Sequence, residues 1–477
     1  MSSLLHKAPG LLAPLLLAAC VVGPDYRPPQ PEAPEHFHAN IADMQRDALS
    51  EQHFWQGFGD PMLARLIEQT LDANRELHTA LARLDRAAAL LGGARLEQLP
   101  SITAGASASE QHLADIERLP GSGQGRAERY QVAAALSWEL DLFGRLRRIT
   151  ETRRAELDAA DADVDALRVA LVGQLATSYF ELRGLQQQAQ TARQNIANQQ
   201  ASLEIVSARL DAGRGTAFDQ VRARAQLEST RAALPELEAE IGARMHRIAV
   251  LSGQQPTALT AELASAGELP ATLPVIPAGS PVDALRRRPD IRVAERQLAA
   301  ATARIGVATA DLFPRFSLDA LLGSVAASSS DLFNAGAESR RVALGVDWSF
   351  IDTGRVRARI NAADADARAA LAQYEQAVLG ALEETETLLL RYQHGRGRTA
   401  HLQLATEAAE ETAALAHVRY DGGFIGYFEV LAAEQELIDT RDALNRSRTQ
   451  VAVAMANVYR ALAGAPLPAG EIARQSD

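Results

Sequence analysis

Trp138-Glu-Leu-Asp-Leu-Phe-Gly144-Arg145 returns about 210 positions further along this chain as Trp348-Ser-Phe-Ile-Asp-Thr-Gly354-Arg355. A second pair of segments, Arg209-Leu-Asp-Ala-Gly213 and Arg419-Tyr-Asp-Gly-Gly423, has the same offset. Two separate motifs that recur at one spacing indicate an internal two-fold repeat. We therefore predict one elongated body built from two similar halves.

Each tryptophan motif ends a segment in which apolar and polar residues alternate with period two. These segments cover 130–140 and 342–350, and weaker alternating partners precede them at 102–108 and 316–322. Runs of about 9–11 residues suit tilted strands that cross a bilayer. A hairpin half-buried on a soluble core would alternate in the same way, but it would need apolar helices to cover it, and the adjoining segments are rich in Ala and Arg. We predict four transmembrane strands, which cannot close a barrel alone and therefore point to an oligomeric pore.

Very long helices should follow the strands, because no proline occurs between Pro120 and Pro235 or between Pro314 and Pro466. The spans 144–213 and 354–423 are each about 70 residues, or roughly 100 Å of helix. Their apolar residues follow a coiled-coil spacing. Gly213 and Gly422-Gly423 are stop signals, after which Asp219 and Glu429 fall in the first turn of a return helix, where negative charge is favourable. Pro235 should kink the first return helix.

The N-terminus resembles a targeting segment rather than part of the fold. A short apolar run ends in Leu17-Ala-Ala-Cys20 and is too short to span a membrane. We predict a lipoprotein signal peptide at 1–19, with Cys20 acylated after cleavage. The alternative is an ordinary secretory signal that leaves Cys20 as an incidental free thiol. Residues 20–59 begin with a Pro-rich stretch and should form a lipid-anchored tether.

Composition excludes several classes of function. The formal net charge of −12 argues against a nucleic-acid partner. The ten histidines are scattered, and no nucleophile elbow, metalloprotease motif or clustered acid pair is present in the sequence. We predict no enzymatic activity, no metal site and no cofactor.

Several blocks of this chain resemble the outer-membrane efflux protein family, the TolC-like channel-tunnels, in its lipoprotein branch that serves resistance-nodulation-division pumps (NodT-type). The resemblance covers nearly all of the mature chain and is carried by Cys20-Val-Val-Gly-Pro-Asp-Tyr26, Phe54-Trp55, Phe58-Gly-Asp-Pro61, Ser137 to Gly144, Arg287-Arg-Pro-Asp-Ile-Arg292, Phe313-Pro314 and Tyr420 with Gly423.

The resemblance implies a mainly α protein with transmembrane β structure. Three copies would form a homotrimer with a twelve-stranded β-barrel, four strands per subunit, continued by a long α-helical coiled-coil barrel. The two family repeats are expected at 60–269 and 282–466, joined by a linker at 270–281 and followed by a tail at 467–477. The implied function is the exit duct of a tripartite efflux pump in the outer membrane, with the helical tunnel in the periplasm. A periplasmic adaptor and an inner-membrane resistance-nodulation-division transporter would complete the pump.

The resemblance also implies a gate at the periplasmic helix tips. Asp219 matches a latch acid and Tyr420 its tyrosine partner, while Phe428 occupies a constricting ring position and Glu429 matches an acid facing the aperture. The alternative role for the two acids is helix capping, which is compatible with a gate.

Two positions depart from the family pattern. Ile425 stands where some members have a latch arginine, and Ala432 where many have a second gate aspartate. Closure should depend more on apolar contact at Phe428, and Arg214 is a candidate replacement for the missing cation.

Other functions remain compatible with the sequence. The chain could be the outer-membrane component of a metal-ion exporter or of type I protein secretion, or a helical scaffold lipoprotein that does not span the membrane. Neither the cargo nor the cognate adaptor and transporter follow from the sequence.

Overall fold

The computed structural model describes residues 21–30, 33–38, 51–112, 114, 116, 126–270, 273–274, 276 and 280–462. The predicted signal peptide, Cys20 and the C-terminal tail lie outside these residues. Lipidation at Cys20 therefore stays a prediction.

The described helices are, in chain order, α1 (Glu51–Gln56), α2 (Pro61–Ala73), α3 (Arg75–Leu96), α4 (Arg145–Asp211), α5 (Ala217–Leu251), α6 (Thr260–Leu263), α7 (Pro281–Arg287), α8 (Pro289–Ala310), α9 (Thr353–Asp421) and α10 (Tyr427–Ala461). Four strands accompany them: β1 (Ser101–His112), β2 (Arg126–Leu140), β3 (Arg315–Ala326) and β4 (Glu338–Asp347). In this part of the chain, no helix combines the length and the apolar character needed to cross a membrane.

The internal repeat predicted from the sequence is visible in the elements. The two long helices, α4 and α9, have 67 and 69 residues. The return helices α5 and α10 have 35 residues each, and α3 and α8 have 22 each. Helix α5 continues through Pro235, and the kink expected there stays a prediction.

The chain divides into two compact units, each built from segments of both repeats. Of the described residues, those in 21–30, 83–161 and 293–375 form the first unit, which contains the sheet. Those in 33–82, 162–292 and 376–462 form the second, which contains both turns at which the long helices reverse.

The sheet in the first unit is an antiparallel meander in the order β1-β2-β3-β4. Its register places the predicted apolar residues of all four strands on one face. For example, Ile102 pairs with Leu136, Leu136 with Ala320, and Ala320 with Val342. Much of this face is exposed on a single chain, including Ile102, Val342 and Leu344. An exposed apolar face of this kind requires lipid or another protein surface to cover it.

The predicted end of the last strand was wrong. We expected alternation to continue to Phe350, but β4 ends at Asp347, which pairs with the first residue of β3, Arg315. No β3 residue remains to pair with anything beyond Asp347. Trp348 instead donates its indole N–H to the carbonyl of Leu312 at 3.0 Å.

Residues 21–30, which we call the N-terminal strap, are held against the first unit. The guanidinium of Arg148 is buried and donates to the carbonyls of Val22 and Gly23, at 3.1 and 3.2 Å, and to Asp25 at 2.8 Å. Gly23 (φ +90°) lies so close to the backbone of Gly306 that a Cβ would come within 2.4 Å of its Cα. The strap therefore binds at a specific site on the first unit.

An aromatic cluster forms part of the core of the second unit. The Phe54 ring stacks on Tyr459 with centroids 4.1 Å apart, and Trp55 stacks on Phe58 at 5.6 Å. Phe58 also contacts Phe180. The Phe54-Trp55 block that carried part of the resemblance is therefore a packing element that joins α1 to α10, and Phe58, just after α1, adds the contact with α4.

Candidate functional site

The candidate site lies at the two turns where the long helices reverse. We call the turns 212–216 and 422–426, with the adjoining helix ends, the tip; all of it belongs to the second unit. Both turns have the same geometry. The amide of Gly213 donates to Leu210 and that of Arg214 to Arg209, while Gly423 donates to Tyr420 and Phe424 to Arg419.

These bonds define a Schellman motif at the end of each long helix. Gly213 and Gly423 have φ of +70° and +76°, a conformation that glycine adopts without strain. The stop signals predicted from the sequence therefore act at these two glycines. Gly422 is not among the described positive-φ glycines.

The two predicted acids occupy equivalent places. Asp219 and Glu429 are each the third residue of a return helix. Thr216 caps α5 by accepting from the Asp219 amide at 3.2 Å, and its hydroxyl donates to the Asp219 carboxylate at 2.6 Å. Thr216 is therefore the residue that caps α5, and the Asp219 carboxylate accepts from this cap without capping the helix itself.

An apolar cluster supports the tip from inside. Its buried members come from α4, α5, α9 and α10, and they are Val206, Ala223, Ala413, Ala416, Tyr427, Val430, Leu431 and Ala433. Ile425 packs against this cluster, so the position of the missing latch arginine contributes apolar contact. Burial, followed by the negative charge of Glu434, raises the pKa of the Tyr427 hydroxyl to about 12.

Tyr420 is held by a residue that the sequence did not identify. The Arg209 guanidinium lies 3.9 Å from the centroid of the Tyr420 ring, and it donates to the Tyr420 carbonyl at 3.4 Å and to the Asp421 carboxylate at 3.1 Å. Arg209 therefore ties the end of α4 to the end of α9. No hydrogen bond joins Asp219 to Tyr420 among the contacts described for this chain.

Arg214, the predicted replacement cation, is not among the described contacts of Tyr420, and its latch role stays a prediction. It is exposed, and its described bond is the backbone bond to Arg209. The sequence did contain a signal for Arg209, since it opens the repeated segment that ends at Gly213. The contact itself joins residues more than 200 positions apart and is visible only in the fold.

Phe428 is exposed at the tip, as is Phe218, with 54% and 69% of their surfaces accessible. They are the second residues of α10 and α5 respectively. Ala432, where a second acid was missing, is also exposed. Within the described residues, no group of three or more His, Cys, Asp or Glu side chains could hold a metal ion.

A four-stranded antiparallel sheet combined with two helical hairpins is the fold of the TolC-like outer-membrane channels. The solved structure of the outer-membrane channel OprN superposes with a TM-score of 0.88 at 41% identity, covering 93% of this chain and 99% of that one. The fold and the tip therefore define an outer-membrane channel.

The sequence comparisons narrow this class. The model of the outer membrane efflux protein family matches residues 66–254 and 280–464. Nodulation protein T of Rhizobium leguminosarum bv. trifolii is 33% identical over 449 residues, which cover 91% of this chain and 92% of that protein. The toluene efflux pump outer membrane protein TtgI of Pseudomonas putida is 30% identical over 468 residues, covering 96% and 98%. This chain belongs to the outer membrane efflux protein family, whose members are channels of efflux pumps in the outer membrane.

Proposed function

We propose that three copies of this chain close a twelve-stranded barrel and form the exit duct of a tripartite efflux pump. A periplasmic adaptor and an inner-membrane resistance-nodulation-division transporter would supply the cargo. The observation that carries the proposal is the open sheet: its meander leaves β1 and β4 as edges, and its apolar face is exposed. Edges of this kind are satisfied by pairing with another copy.

The tip supports the gating part of the proposal. Three-fold symmetry would place three Phe428 rings and three Glu429 carboxylates around one aperture, where a ring of acids favours cations. The Arg209 contact with Tyr420 and Asp421 would hold the two hairpins of each chain together. Asp219, the third residue of α5, would contribute the latch acid.

Two measurements on the purified full-length protein test the assembly. Native mass spectrometry in detergent should give a mass of three chains, and the same material should form ion-conducting channels in planar bilayers. Heat-modifiable migration in SDS gels separates a spanning barrel from a scaffold lipoprotein that does not span, since the acyl anchor would make both resist carbonate extraction. Monomeric material that never conducts would refute the proposed function.

We also propose that Cys20 carries the lipid anchor. The supporting observation is the binding of the strap by Arg148, which holds the chain from Val22 onward. Incorporation of labelled palmitate into the wild type, and its loss in Cys20→Ser, would test the modification directly.

A further inference from the structure

Arg222 makes an unusual contact at the tip. Its guanidinium carbon lies 4.3 Å from the centroid of the Phe428 ring and 6.0 Å from that of Phe218. Both distances are within the range of a cation–π interaction, and the Phe428 contact is the closer one. The arginine comes from α5 and Phe428 from α10, so this contact joins the two return helices.

Arg222 also has a second possible partner nearby, the Asp219 carboxylate. Asp219 lies three residues before Arg222 on the same helix, a spacing at which ion pairs form readily. No ion pair between them is among those described for this chain, and the Asp219 carboxylate accepts from the Thr216 hydroxyl. The arginine thus places its positive charge over an exposed aromatic ring.

The two repeats differ in the charge that they place next to these aromatic residues. Phe218 and Phe428 are equivalent second residues of α5 and α10, and the sixth residues are Arg222 and Ala432. One repeat therefore supplies a cation next to the aromatic position and the other supplies a methyl group. Glu429, which is also exposed, neighbours Phe428 in sequence, so opposite charges flank the ring.

We propose that Arg222 is a gating and charge-selectivity residue of the channel. The inference rests on the proposed function, because it takes Phe428 to line the aperture. Stacking on Phe428 holds the ring in its closed position, and three Arg222 guanidinium groups offset the cation preference of the three Glu429 carboxylates.

Planar-bilayer recording with the full-length protein tests this proposal. Arg222→Gln should raise the single-channel conductance by about twofold or more and increase the permeability ratio of potassium to chloride. Arg222→Lys should keep the wild-type ratio, because the charge remains, while losing part of the closure. Phe428→Leu should raise conductance without a comparable change in ratio, because the ring is lost and the charge is retained.

Arg224→Gln is the matched control. Arg224 lies two residues further along α5, is exposed, and contacts no aromatic ring among the described residues. It should leave conductance near the wild-type value. The double variant Arg222→Gln with Phe428→Leu should raise conductance less than the product of the two single effects, which is the signature of coupled residues.

The outcomes separate this inference from the proposed function. Wild-type protein that never conducts would refute the channel assembly and this proposal together. A conducting wild type in which Arg222→Gln behaves like Arg224→Gln would refute the proposal alone, as would independent effects in the double variant. Trimer content by native mass spectrometry shows that each variant is assembled.

Discussion

Arg209 engages the second hairpin through an aromatic face, a carbonyl and a carboxylate at once. These contacts lie within 3.9 Å of its guanidinium. A planar guanidinium can stack and donate together, which an ammonium group cannot do with the same geometry. If the two hairpins separate when the channel opens, this is the residue whose contacts must break.

Removing the Arg209 side chain should therefore weaken closure. Arg209→Gln should raise single-channel conductance in planar bilayers, and Arg209→Lys should recover only part of the wild-type behaviour.

The variant Asp219→Ala with Tyr420→Phe should also raise conductance if those two residues form the latch. Arg193→Gln serves as control, because Arg193 lies in the same helix and its ion pair with Glu238 is exposed. Wild-type conductance in all latch variants would exclude a latch at these positions.

Tyr427 should make the stability of the folded chain depend on pH. Burial raises its pKa from 10.0 to about 12, so the folded chain holds this proton more tightly than the unfolded chain. Its stabilising contribution is complete below pH 10 and is lost as the pH rises through 12. The thermal midpoint of the wild type should thus fall more steeply over this range than that of Tyr427→Phe. Parallel curves for the two proteins would show that Tyr427 titrates without linkage to folding.

Among the elements, the ends of the long helices depend on backbone conformation at single glycines. Gly423 has φ of +76°, and a Cβ added there would meet nothing within 4 Å, so only the backbone conformation opposes a side chain. Gly397, in the interior of α9, also has open space around it, but its backbone is not in the left-handed region. The same substitution should therefore have opposite effects at the two sites.

Gly423→Ala should cost about 1 kcal/mol, because an L-residue is strained in the left-handed region. Gly397→Ala should stabilise the helix by about 0.5–1 kcal/mol, because glycine loses more entropy there than alanine. Thermal midpoints followed by far-UV circular dichroism measure both. Changes of the same sign at the two sites would contradict this account of the helix ends.

Local signals in the sequence predicted the helices well and the strand ends less well. Gly213 and Asp219 lie within a few residues of each other and mark the end of one helix and the start of the next, so the reversal of α4 could be predicted. The end of β4 is set by where β3 begins, since Asp347 pairs with Arg315. The residues near Trp348 carry no sequence pattern that indicates where β3 begins. The same holds for Arg209 and Arg222, whose closest aromatic partners, Tyr420 and Phe428, come from the other repeat.

In the first unit, the strap is the feature that connects the predicted lipid anchor to the fold. Arg148 is 3% exposed and holds three successive parts of the strap, Val22, Gly23 and Asp25. Tyr26 adds a hydrogen bond to Glu295 at 2.7 Å. A buried arginine that satisfies backbone carbonyls is costly to remove, because those acceptors lose their partner.

Arg148→Ala should release the strap. Chymotrypsin should then cleave after Tyr26 markedly faster than in the wild type, and mass spectrometry of the cleaved chain would identify the site. Arg153→Ala is the control, because Arg153 lies on the same helix and makes a partly exposed pair with Glu156. Equal cleavage rates in all three proteins would show that Arg148 does not hold the strap. Trimer mass and conductance, measured in parallel, distinguish local release from general unfolding.

The two open edges of the sheet also have a genetic consequence. In a closed ring of identical subunits, each copy must accept one neighbour at β1 and offer β4 to another. A single subunit with a damaged edge strand would prevent closure of every ring that it enters, and the intact subunits in that ring could not compensate. An allele carrying such damage should therefore behave as dominant-negative when it is expressed together with the normal gene.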